Sequence, residues 1–122
     1  MSHQITSIGQ IAVTVQELAR AVTFYRDILG LRLLFETGGM AFFQCGDIRL
    51  MLSRPETPDA TASSIVYYKT DDIEGTAAAM RAKGAKFEAP PHMIAKMPDH
   101  ELWMAFLRDT EGNLLALMSE VR

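Results

Sequence analysis

Apolar and polar residues alternate over Gln10 to Val15. Ile11, Val13 and Val15 point one way; Gln10, Ala12 and Thr14 point the other. That is the period of a strand with one buried face. The period then lengthens. Leu18, Ala21, Val22, Tyr25, Ile28 and Leu29 recur at helical spacing and give a helix one apolar stripe. Gly30 follows, where a left-handed residue closes a helix at little cost. Leu31 to Glu36, Met40 to Cys45 and Ile48 to Ser53 read as three strands, with turns at Gly38-Gly39 and Gly46-Asp47. In the last strand Ile48, Leu50 and Leu52 share one face, and Arg49, Met51 and Ser53 the other. The predicted order is βαβββ.

The pattern then returns. Arg54 to Ala62 carries two prolines and no period and reads as a linker. Ser63 to Thr70 repeats the opening strand, and Asp71 or Asp72 can cap a second helix that runs to about Lys83 and ends at Gly84. Lys86 to Glu88, Leu102 to Leu107 and Leu114 to Ser119 complete the set as strands, the last of them as an edge or closing strand. His92 to Glu101 reads as an irregular insertion, and a long loop of that kind suits a lid. Gln10 matches Ile65 at an offset of 55 residues, and Met51 matches Ala116 at an offset of 65. The expected fold is α+β: one domain, residues 1–122, built from βαβββ modules at 8–53 and 63–119.

Composition narrows the function. With 48% hydrophobic and 22% charged residues the chain is globular. A net charge of −3 argues against a nucleic-acid partner, which usually leaves a basic footprint. No apolar run approaches the roughly 20 residues of a membrane helix, and the first residues lack the pattern of a secretory signal. The single cysteine, Cys45, rules out an intrachain disulfide and fits a reducing cytoplasm. Eight methionines suit an adaptable apolar pocket as well as a core.

Several stretches carry a resemblance: IAVTV followed by AVTFYRDILGL, then VYYKTDDIE, then FLRDTEGNLLAL. From Ile8 to Ser119 the chain resembles the vicinal oxygen chelate superfamily of glyoxalase I, bleomycin-resistance proteins and extradiol dioxygenases. The resemblance implies two βαβββ modules whose sheets curl around a central cavity, often in a homodimer. It also implies a divalent metal held at four equivalent places, one on the first and one on the last strand of each module. Carried over by motif, those places are Gln10, Met51, Ile65 and Ala116. None is an imidazole or a carboxylate, and a divalent ion needs several good donors at once. The expectation is therefore no metal and no cofactor.

The face that carries those four places also carries Arg49, Tyr67 and Lys69, so the expected cavity is apolar with a few polar groups. Arg49 and Lys69 could hold a carboxylate or phosphate there, or point to water. Trp103 could stack on a ligand or bury. The expected ligand-binding set is Gln10, Arg49, Met51, Ile65, Tyr67, Lys69, Trp103 and Ala116. The expected function is metal-free binding of a largely apolar or aromatic small molecule. The alternative is a lyase, isomerase or dioxygenase-like enzyme with a relocated metal, or with acid-base residues from His92, His100, Glu101 and Tyr67. No catalytic residue is assigned, and Cys45 has no base near it in sequence.

Overall fold

The computed structural model describes residues 8–55 and 64–122. The chain divides into two compact units, the first ending at Ser63 and the second starting at Ser64. Most of the expected linker, and the first residue of the expected second module, lie outside the described residues.

Each unit is a βαβββ module. The first holds β1 (Gln10–Thr14), α1 (Leu18–Thr23), β2 (Arg32–Thr37), β3 (Met40–Cys45) and β4 (Ile48–Ser53). The second holds β5 (Val66–Lys69), α2 (Ile73–Ala82), β6 (His92–Lys96), β7 (Glu101–Arg108) and β8 (Leu114–Val121). The sheet orders are β1-β4-β3-β2 and β5-β8-β7-β6. In both, the helix carries the chain across the sheet, so the first strand meets the last in parallel and the others pair antiparallel. β8 therefore lies inside its sheet, between β5 and β7, rather than at an edge.

The registers repeat with the strands. Ala12 faces Met51 in the first unit, and Tyr67 faces Ala116 in the second. Those pairs are related by the same offsets, 55 and 65, that the sequence pattern carries. A bulge also recurs, between Leu33 and Phe35 against β3 and between Met93 and Ala95 against β7. A bulge turns the residues beyond it to the opposite face.

Residues 92–101 correct the expectation of a lid. His92–Lys96 is a strand, and only Met97 to His100 form the turn, closed by the Met97 N–H on the His100 carbonyl at 2.8 Å. As an edge strand β6 pairs on one side only, and most of its residues are exposed, so it shows no alternation to read. Lys86–Glu88 is not a strand. Phe87 makes one isolated bridge to Leu107.

Each helix covers one face of its own sheet. In the first unit Val13, Val15, Ala41, Phe43, Leu50 and Leu52 are buried, with Ala21, Val22, Phe24 and Tyr25 from the helix. The helix widens after α1 into a π-helical turn, Phe24–Ile28, closed by the Leu29 N–H on the Phe24 carbonyl at 3.0 Å. The extra residue in that turn lets Phe24 and Tyr25 both face inward, which a strict helical stripe does not predict. In the second unit Ile73, Ala77 and Met80 are buried from α2, and Ala105, Leu107, Leu115 and Leu117 from the sheet. The Asp72 side chain caps α2 by accepting from the Gly75 N–H at 3.0 Å. Among the described residues no helix is long and apolar enough to cross a membrane.

Candidate functional site

Apart from Trp103 and Ile65, the expected site residues lie on the strand faces turned away from the helices, where alternation puts them. In the first unit β1 and β4 bring Gln10 beside Arg49 and Ala12 beside Met51. β3 brings Phe42 beside Met51. β2 adds Phe35 opposite Phe42. Without the bulge Phe35 would share the helix-side face with Leu33, two residues earlier.

These side chains touch in a row. The Phe35 and Phe42 rings stack, with centroids 4.6 Å apart and planes at 24°. The Arg49 guanidinium lies over the Phe42 ring, 5.5 Å from its centroid. Its Nε donates to Gln10 Oε1 at 3.1 Å, and Gln10 Nε2 donates to Met51 Sδ at 3.8 Å. The Gln10 carboxamide is thus engaged at both ends. Among the described residues the two terminal nitrogens of Arg49 have no partner. Met51 also borders a hollow of about 540 Å³, lined with Gly38, Gly39, Met40, Ser53 and Arg54. That size lies in the range of small-molecule sites.

The second unit differs. Tyr67 lies opposite Ala116, and its ring meets Phe106 edge-on at 6.0 Å. Ala116 is fully covered, and Ile65 lies exposed just before β5. Lys69 Nζ stands 3.8 Å from Glu120, which also takes Arg122 at 3.0 Å. Its charge is answered within the sheet; among the described residues that of Arg49 is not.

Trp103 is on the other face from Tyr67 and Ala116. It pairs with Ser119 and shares the parity of Ala105 and Leu107, so it faces the helix side. Its indole N–H donates to Glu101 at 3.0 Å. Beside it is a hollow of about 270 Å³ at the start of α2, bordered by Asp71, Ser119 and Val121. Counting residues along β7 from a paired neighbour would have shown this. The same count finds Phe106 facing Ala116, and alternation within Met40–Cys45 finds Phe42. Sequence reasoning passed over both.

The acid-base candidates do not gather. His92 Nδ1 is 3.0 Å from the Pro90 carbonyl, and His100 Nδ1 is 2.7 Å from Asp99. Hydrogen bonds from His100 and then Arg122 hold the Asp99 carboxyl below its ordinary range. Burial pushes the Cys45 thiol up, away from the reactive thiolate. Among the described residues no group of three or more His, Cys, Asp or Glu is placed to hold a metal ion. The four places where the resemblance implies metal ligands do not fit one either. They offer a committed amide, a thioether and two alkyl side chains, Ile65 and Ala116.

The chain belongs to the Glyoxalase/Bleomycin resistance protein/Dioxygenase superfamily, whose family model matches residues 7–117. A metallothiol transferase FosB of Staphylococcus haemolyticus is 38% identical over 113 residues, covering 91% of this chain and 65% of the relative. This chain therefore spans about two-thirds of that relative's length. Among solved structures, TnmS3, an antibiotic binding protein from Streptomyces sp. CB03234, superposes with a TM-score of 0.77 at 21% identity, covering 98% of this chain and 99% of the other. A lactoylglutathione lyase from Agrobacterium tumefaciens superposes with a TM-score of 0.74 at 22% identity, covering 94% of both chains. At those identities the likeness to the two structures is one of fold alone.

Proposed function

We propose that this protein is a metal-free small-molecule-binding protein of the glyoxalase/bleomycin-resistance type that holds a largely apolar or aromatic ligand. One observation carries the reading. Gln10, the one oxygen donor among the four expected ligand positions, has its carboxamide tied to Arg49 and Met51. Around it stand an aromatic stack and a hollow, the materials of a binding site. Antibiotic binding by TnmS3, of the same fold, agrees with this reading. A cytoplasmic homodimer completes it.

The test is metal content and response. Protein purified without chelator should carry less than one-tenth of an equivalent of any divalent metal. Adding Ni²⁺, Zn²⁺, Mn²⁺ or Fe²⁺ should leave the melting temperature unchanged, because an ion that does not bind the native state cannot stabilise it. Light scattering should give twice the chain mass.

The relation to a metallothiol transferase favours a second reading, an enzyme with a relocated metal. A near-stoichiometric ion that raises the melting temperature would establish it and remove the first.

A further inference from the structure

We propose that the outward face of the first sheet is a receptor for a planar aromatic carboxylate, with Arg49 as the anchor and Gln10 as the residue that positions it. This rests on the small-molecule-binding reading and names the ligand class at the same site.

The argument starts from Arg49. An arginine side chain on an exposed strand is ordinarily free to rotate, and ordering it costs entropy. Here two contacts fix it: Nε donates to Gln10 and the guanidinium lies over Phe42. Among the described residues the outer fork has no partner. A guanidinium fork matches a carboxylate through two parallel N–H···O bonds. Prior ordering reduces the entropy lost on binding.

The aromatic half of the ligand follows from what adjoins the fork. Phe42 stands between Arg49 and Phe35, and Phe35 is 46% exposed. An exposed aromatic stack beside a cation suits a flat ring attached to an anion. Flat rings gain from stacked or edge-on contact beyond the area they bury. The Met51 sulfur adds a polarisable neighbour at the mouth of the hollow. On the outward face of the second sheet the cations Lys69 and Arg108 are answered by Glu120 and Glu88. Charge complementarity therefore selects the first sheet.

Gln10 acquires a role that its position alone would not give. Its oxygen takes the Arg49 Nε–H and leaves both terminal nitrogens without a hydrogen bond among the described residues. It is a positioning residue, and its own contact with the ligand is not required.

The test is calorimetric titration of the whole chain with 2-naphthoate and its neutral counterpart 2-naphthalenemethanol. Naphthoate should bind about ten- to a hundredfold more tightly, the scale of a charge-assisted hydrogen-bond pair. Added salt should weaken naphthoate and leave the alcohol unchanged. Arg49→Gln should erase the difference between the two ligands while alcohol binding persists, and Arg49→Lys should restore only part of it. Gln10→Glu should also erase the difference, since its carboxylate would occupy the fork. Gln10→Ala should reduce it severalfold. Equal affinity of the wild type for both ligands, or an unchanged ratio in Arg49→Gln, overturns the inference and leaves small-molecule binding standing. Absence of binding by either ligand also overturns it. If Phe35→Glu then converts a dimer to monomer, the face is an interface between two copies. If instead the protein carries a stoichiometric metal, the broader reading fails too.

Discussion

Phe43→Ala should lower stability by about 3–5 kcal/mol, the usual cost of emptying a buried phenylalanine site. Phe43 is fully buried and lies against Tyr25, with ring centroids 6.1 Å apart. Leu33 and Leu50 pair with it on either side, so the strands hold the space open. For a chain of this size the melting temperature should fall by roughly 10–20 °C. Phe42→Ala, one residue earlier, should behave differently. Its ring is half-buried between Phe35 and Arg49 on the outward face. It should cost about 1–2 kcal/mol, the sum of a ring pair and a cation–ring contact. Its larger effect should be on naphthoate binding. Urea denaturation and calorimetry on the two variants should therefore give opposite rankings. Similar rankings would mean that β3 does not separate a structural face from a binding face.

The same alternation decides how much was legible from sequence. β3 and β4 have the bounds that their pattern predicts, and the repeat offsets match the strand registers. Period-two burial is a local signal, and it survives where one face meets a helix. It fails at β6, an edge strand whose exposure leaves nothing to alternate. It fails again at Phe35, because a bulge reverses the face and a bulge leaves no mark in hydrophobicity. The face of Trp103 was open to reasoning, but only through the pairing of β7 with β8. The Gln10–Arg49 contact is different in kind. It joins residues 39 apart through a parallel register that tertiary structure supplies. Composition could offer Arg49 as a cation; it could not show that the guanidinium is held.

Asp109→Ala should produce the second large loss, about 2–4 kcal/mol, by a route that involves no apolar packing. Asp109 is 6% exposed, among the few buried polar side chains. One carboxylate oxygen accepts from the Glu111 N–H at 2.8 Å and the Asn113 N–H at 2.9 Å, and the other from Asn113 Nδ2 at 3.0 Å. These bonds shape the turn between β7 and β8, in which Gly112 takes a φ of 84° that a side chain would strain. Alanine removes the acceptors and leaves the donors in a partly buried turn, and a donor without a partner costs more than the average bond contributes. β8 depends on that turn for its register with β7, and it is also the partner of β5. Amide exchange should consequently rise first in Leu114 to Leu117 and in Val66 to Lys69. Asp109→Asn keeps one oxygen acceptor and should lose about half as much. Exchange that instead quickened evenly over both units would show that the turn contributes no more than an ordinary surface loop.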